Sequence, residues 1–190
     1  RGPCAALRLL AAEPPALERL GLPREVPAWL DQRGFIAVAG TSGSGKTTML
    51  AALVRALGEK RRRVVAIEDP IEIVHVASAS VSQRAVGVHV PGVAAGVSAA
   101  MNEGADAIVV GTISSPDGAR ATLDAIGAGL LVLATITVPS ARLAIEVLVD
   151  LLPLDRRDLA RTLLADAHLG TIGPILRGGQ RSFEVLPGRA

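Results

Sequence analysis

Tyrosine is absent from this 190-residue chain, and Trp29, Phe35 and Phe183 are its only aromatic residues. Its core must therefore be packed from Val, Leu, Ile and Ala. Stacking of single-stranded bases on aromatic rings has little to build on, and no nucleic-acid partner is expected. Lysine is nearly absent too, since only Lys46 and Lys60 occur among 20 basic residues. The lone Cys4 cannot close an internal disulfide and offers no metal or redox motif, which fits a reducing, cytoplasmic setting. His89 and His168 have no partner at metal-ligand spacing, and His75 is expected to pack beside an acidic turn. No apolar run reaches the ~20 residues a membrane span needs. Even the uncharged stretch between Asp124 and Arg142 is broken by Gly127, Gly129 and Pro139. No signal peptide opens the chain and its first residue is not Met, so it reads as a piece of a longer protein.

What is present is ordinary globular material, with 49% apolar and 20% charged residues and a net charge of +2. Residues 1–33 are punctuated by Pro14, Pro15, Pro23 and Pro27 and read as a lead-in with short helices at Ala16–Leu20 and Ala28–Gln32. From Phe35 the texture changes. Phe35–Ala39, Val64–Ile67, Ala107–Val110 and Leu130–Ile136 are short apolar runs, as expected of strands buried on both faces. Between them, helices are expected at Thr47–Leu57 with Gly58 as the stop, at Val93–Asn102, and from Ser115-Pro116 to about Ala128. Residues 71–92 read as short β-like pieces, Ile71–Val76, Val81–Gln83 and Val86–Val90. Ser140 and Asp155 read as caps of helices ending near Leu152 and His168. Ile172–Leu176 and Ser182–Leu186 flank Gly178-Gly179 as a hairpin. The alternation implies an α/β fold, a parallel sheet covered on both faces, closed by a β-hairpin.

Gly40-Thr41-Ser42-Gly43-Ser44-Gly45-Lys46-Thr47 fits G-x-x-x-x-G-K-[ST] at every fixed position, after an expected strand and before an expected helix. Glycines let backbone amides approach phosphate oxygens, and the helix start adds its positive dipole end. Thr41, Ser42, Gly43, Ser44, Gly45, Lys46, Thr47 and Thr48 are thus candidate nucleotide-binding residues. Lys46 supplies a charge for the β- and γ-phosphates, and the Thr47 hydroxyl is a candidate Mg²⁺ ligand. The loop does not choose between adenine and guanine. No Asn-Lys-x-Asp guanine-reading motif occurs.

Hydrolysis also needs carboxylates, at the carboxyl ends of strands beside the loop. Val64–Ile67 is followed by Glu68 and Asp69, whereas Ala107–Val110 is followed by Gly111 and Thr112. Glu68 is therefore the candidate catalytic carboxylate beside Lys46, and Asp69 joins Thr47 as a candidate metal ligand. Asp106 precedes its strand. At ~3.3 Å per residue it lies roughly 20 Å from position 112, at the wrong end of the sheet.

From about Leu20 onward the chain resembles the ATPase core of the type IV pilus and type II secretion motor family, closest to PilT-like retraction ATPases. The likeness rests on the loop Gly40–Thr48, on Ile67-Glu68-Asp69-Pro70-Ile71-Glu72-Ile73-Val74-His75, which is similar to the family's acidic "Asp box", and on Ser82-Gln83-Arg84 after it. Ala107–Gly111 resembles the Walker B strand, which in the family ends Gly-Glu-x-Arg-Asp. Here Thr112 stands at the glutamate position, Ser114 and Ser115 at the arginine and aspartate, and Leu130 and Thr137 where the "His box" carries histidines. The resemblance implies a three-layer P-loop core with a RecA-like sheet over residues 34–190, and makes residues 1–33 a linker from an N-terminal domain. It also implies ATP and Mg²⁺ as cofactors, a ring of like or unlike subunits, and pilus or secretion platform proteins as partners.

Three readings follow. One is an ATP-binding motor subunit with hydrolysis weakened or lost. Another is an active hexameric motor in which Glu68 does the work missing at Thr112. The third, a small-molecule P-loop kinase, lacks an arginine-rich lid. Arg84 reads either as an arginine finger or as a surface ion pair, and Glu72 and Glu103 read as structural ion-pair partners.

Overall fold

The structure, a computed structural model, describes residues 13–76, 78–177 and 180–188. A seven-stranded sheet forms its middle layer, in the order β3-β2-β4-β5-β1-β6-β7. The strands are β1 (Gly34–Gly40), β2 (Val64–Glu68), β3 (Val81–Ala85), β4 (Ala107–Val110), β5 (Leu131–Thr137), β6 (His168–Arg177) and β7 (Gln180–Pro187). All neighbours pair in parallel except β6 and β7, the expected antiparallel hairpin. Gly178-Gly179, its expected turn, lies outside the described residues.

Burial explains the apolar runs. β1 is buried along its whole length because both its faces are covered. One face of the sheet, with Ile36, Val38, Val64, Ala66, Val109 and Leu133, packs on α2 (Lys46–Glu59) through Met49, Leu50, Leu53 and Leu57. Trp29 and Leu30 join this side from α1 (Glu25–Trp29) and its C-cap, with Leu17 from a short 3₁₀ turn. The opposite face, with Phe35, Ala37, Ile67, Ile108 and Val132, packs on α3 (Val93–Asn102), α4 (Pro116–Gly127), α5 (Ala144–Asp150) and α6 (Leu154–Ala167). Strand alternation then assigns the side chains at the carboxyl ends. Glu68, Thr135 and Thr137 follow residues of the α2 face two positions earlier, and so project on the side where α2 begins.

Several boundaries differ from expectation. The first helix is Glu25–Trp29, not Ala28–Gln32, because Pro27 sits in its first turn, where no amide donor is required. Residues 17–20 form a 3₁₀ turn. α2 passes through Gly58, and the chain turns instead at Arg61, whose φ is +58°. Of the β-like pieces only Val81–Ala85 is a strand. Ile71–Val76 is irregular, and Val86 and Val90 meet in a single bridge. Ser115 caps α4 by accepting from the Gly118 amide at 3.2 Å. Ser140 caps a 3₁₀ turn, Ala141–Leu143, ahead of α5. α6 starts after Pro153, so Asp155 lies within its first turn. Among the described residues no helix is long and apolar enough to cross a membrane.

Candidate active site

The loop leaves β1 at Gly40 and turns into α2 at Lys46. Gly43 and Gly45 adopt φ of +75° and +103°, a region closed to most side chains. Met49 donates from its amide to Gly45 O at 2.9 Å, the first helical bond, so the amides of Lys46, Thr47 and Thr48 precede any helical acceptor. The Lys46 ammonium folds back on its own loop, donating to Gly40 O at 3.0 Å and Thr41 O at 2.8 Å. Burial lowers its pKa, and the Glu72 carboxylate partly restores it. The Ser44 hydroxyl is buried without a hydrogen-bond partner among the described residues. A cleft of about 470 Å³ lies on one side of the loop, walled by residues 39–44, Pro139–Ala141 and Gly173–Ile175. On the other side Leu20, Thr48, Met49 and Phe183 line a shallow hollow.

β5 and β4 stand between the loop strand and β2. Val38 is in register with Thr135, and one residue beyond the Val110–Ala134 and Ile67–Val110 pairs lie Gly111 and Glu68. A row Val38–Thr135–Gly111–Glu68 therefore crosses the sheet beside the loop. Backbones run close there, since a Cβ on Gly111 would come within 3.2 Å of Glu68 Cα. Glu68 is half-buried. Burial pushes its carboxyl up, the Gln83 donor pulls it back, and the neighbouring Glu72 charge pushes it up again.

Gln83 spends its whole amide on this turn. Its Nε2 donates to Glu68 Oε1 and to Ile73 O, both at 2.8 Å, and its Oε1 accepts from the His75 amide at 2.9 Å. It thereby lays residues 69–75 along the sheet beside α2 and brings Glu72 within electrostatic reach of Lys46. Glu72 is thus not the ion-pair partner expected: among the described residues no cation pairs with it, and its buried Oε2 has no hydrogen bond. Glu103 is such a partner, pairing with Arg84 at 2.5 Å. His75 packs at the acidic turn as expected, and burial lowers its pKa.

At the end of β4 the Thr112 hydroxyl lies 3.0 Å from that of buried Thr135, which in turn donates to Gly111 O. The Ile113 amide donates to Thr135 O at 3.0 Å, so Thr135 staples the whole 111–113 turn. Neither Thr135 nor Glu72 was singled out for this site from sequence. A glutamate four positions after Glu68 was the available signal for the second, whereas Thr135 becomes visible only through sheet register.

No group of three or more His, Cys, Asp or Glu among the described residues could cage a metal ion. The Thr47 hydroxyl and the acid-rich turn at Glu68-Asp69 are hard oxygen donors, which suit a Mg²⁺ that takes its remaining ligands from phosphate and water.

The family model described as "Type II/IV secretion system protein" matches residues 2–165, and the chain belongs to that family. It is 39% identical over 163 residues to "Uncharacterized protein YggR" of Escherichia coli K12, covering 84% of this chain and 50% of that protein. It is 32% identical over 179 residues to "Type IV pilus retractation ATPase PilT" of Pseudomonas aeruginosa, covering 93% and 52%. The crystal structure of the pilus retraction motor PilT with bound ADP superposes with a TM-score of 0.87 at 32% identity, over 96% of this chain and 56% of that one. The Legionella pneumophila ATPase DotB gives 0.82 at 27% identity, over 91% and 50%. The chain therefore spans about half the length of these two curated relatives.

Proposed function

We propose that this chain is an ATP-binding subunit of a type IV pilus or type II secretion-like motor in which hydrolysis is weakened or lost. One observation carries the second half of this reading. At the end of β4, the strand beside β2 at the site, the chain presents Gly111-Thr112 with its hydroxyl tied to Thr135, and no carboxylate. A threonine hydroxyl does not accept a proton from water as a carboxylate does.

In this reading the amides of Thr41 to Thr48 cradle the phosphates. Lys46 leaves its two loop carbonyls for the β- and γ-phosphate oxygens. Thr47, with Asp69 acting through water, holds Mg²⁺, which supplies charge neutralisation between the phosphates. Gln83 fixes the acidic turn so that Glu68 and Glu72 face the loop. Self-association in a ring, a platform-protein partner and a cytoplasmic location follow from the family and belong to the same proposal. The competing reading, an active motor using Glu68, has one observation in its favour. Burial raises the pKa of Glu68, as suits a group that takes up a proton.

Binding and steady-state turnover measured on one sample separate the two. Mg-ATP is expected to raise thermal stability, and Lys46→Ala to remove that rise. Wild-type turnover is expected ~10²–10⁴-fold below an active relative, the usual worth of a general base, with Thr112→Glu recovering part of it. Robust turnover that survives Thr112→Ala but disappears in Glu68→Gln refutes the weakened-hydrolysis reading and leaves the active motor.

A further inference from the structure

We propose that the end of the sheet opposite the phosphate loop is a docking surface for an acidic, extended protein segment, gripped by Arg33, Arg61, Arg62 and Arg63. It uses none of the nucleotide site and stands apart from the reading above.

At the amino end of the sheet, register lines up what precedes each parallel strand. Gly34 pairs with Leu131, Leu131 with Ala107 and Ala107 with Val64. The residues one position earlier form a row, Arg33, Leu130, Asp106 and Arg63. Its two arginines stand three strand spacings, roughly 14 Å, apart. A cleft of about 320 Å³ opens along this row, lined by Arg33 and Arg62 together with the buried Leu30, Leu57 and Leu131. Arg33 reaches across to the start of β5, its Nη1 lying 3.5 Å from where a Cβ on Gly129 would stand.

Backbone bonds hold the arginines in place. After α2 the Arg61 amide donates to Gly58 O at 2.9 Å and the Arg62 amide to Leu57 O at 3.1 Å. The Arg63 amide donates to Asp106 Oδ2 at 2.9 Å, and its carbonyl accepts from the Asp106 and Ala107 amides. Arg61 has φ of +58°, the left-handed region where glycine is the usual residue after a helix. The fold thus keeps an arginine there at a cost in stability.

Charge gathers at this end. Lys60 Nζ is spent on both oxygens of Asp31 at 2.6 Å, and the nearby Glu59 and Glu103 pair with Arg55 and Arg84. Among the described residues no carboxylate forms an ion pair with Arg33, Arg61, Arg62 or Arg63. Counting Lys60, five cations face Asp31 and Asp106, an excess of three in a chain whose net charge is +2. Asp106, mid-row, selects the kind of anion. An anionic bilayer or a nucleic-acid backbone presses negative charge along the whole row, Asp106 included. An extended peptide instead sets amide donors between its carboxylates. At ~3.3 Å per residue, acidic side chains four apart share a face and span ~13 Å, which matches Arg33 and Arg63 and leaves amides between them to meet Asp106.

Fluorescence anisotropy of the full chain with a labelled peptide of about twelve residues, alternating Thr and Glu, tests this. Binding is expected, weakening as salt rises from ~50 to ~300 mM, with none to the Thr-Gln counterpart. Arg33→Gln with Arg62→Gln is expected to lower affinity at least about three-fold. Arg61→Gly should lower it while leaving Tm at or above wild type, which separates lost charge from lost fold. Arg156→Gln on α6 serves as the control and should leave affinity within about 1.5-fold. No binding of the Thr-Glu peptide, a smaller loss in the double variant, undiminished affinity in Arg61→Gly, or an equal loss in the control overturns the proposal. Tighter binding to phosphatidylglycerol vesicles or to a single-stranded DNA oligomer assigns the surface to another partner and overturns it as well.

Discussion

Replacing Gln83 with leucine removes three hydrogen bonds from one side chain while nearly preserving its volume. Two of them, to Ile73 O and from the His75 amide, join neutral groups and are worth about 0.5–1.5 kcal/mol each. The third goes to the Glu68 carboxylate, and such bonds are worth about 1.5–3 kcal/mol. Glu68 and His75 are half-buried, so water replaces part of what is lost, and the lower part of the sum applies, about 3 kcal/mol. For a chain of this length that is a fall in Tm of roughly 6–12 °C. The assay is a calorimetric melt without nucleotide, with urea titration as a second measure. Gln83→Glu refines the test. It keeps an acceptor for the His75 amide but sets a second carboxylate against Glu68, so its deficit should be largest at high pH and shrink as acid protonates one of the pair. A fall of less than about 2 °C in Gln83→Leu refutes the view that this amide holds the acidic turn in place.

Two further outcomes are expected. Burial lowers the pKa of His168, whose Nε2 meets Thr171 Oγ1 at 2.9 Å, below the ordinary value of 6.5. The neutral ring's stability is therefore fully present above about pH 6.5 and is lost as pH falls below that through the lowered folded value, so His168→Gln should flatten the acid side of the Tm profile. The flattening is partial because His75 is shifted in the same sense, and an unchanged profile would exclude His168 as a source of acid sensitivity. Gly170→Ala should destabilise by about 1–3 kcal/mol, since its Cβ would come within 2.2 Å of the Trp29 ring, and pairing it with Trp29→Leu should relieve the overlap. Urea midpoints for the single and double variants check this, and simple addition of the two losses counts against the contact.

Much of the frame was legible because a doubly covered parallel sheet leaves a direct trace. Phe35–Ala39 and Ala107–Val110 are apolar without alternation because both of their faces are buried, and Val93–Asn102 was bounded correctly. The loop was legible for a different reason, since phosphate chemistry fixes residue types at fixed spacing. The acidic turn was not. Its valines at 74 and 76 suggest a strand, but Val74 and Val76 are 53% and 78% exposed, and the path is set by an amide on β3 that is distant in sequence.

The glycines show where local reading reaches its limit. Gly58 looks like a helix stop, yet α2 runs through it, and a Cβ there would come within 2.5 Å of Ser78 Oγ. Gly96 looks like a weak point in α3, yet a Cβ there would come within 2.8 Å of Ile67 Cγ1, so the glycine lets α3 sit close on β2. Each lies near one end of the apparatus that carries Glu68. Gly96 presses on Ile67, the residue before it, and Gly58 admits the segment that returns from the acidic turn to β3. Local propensity charges each of these glycines about 1 kcal/mol against alanine. Close approach of backbone to neighbour outweighs that cost.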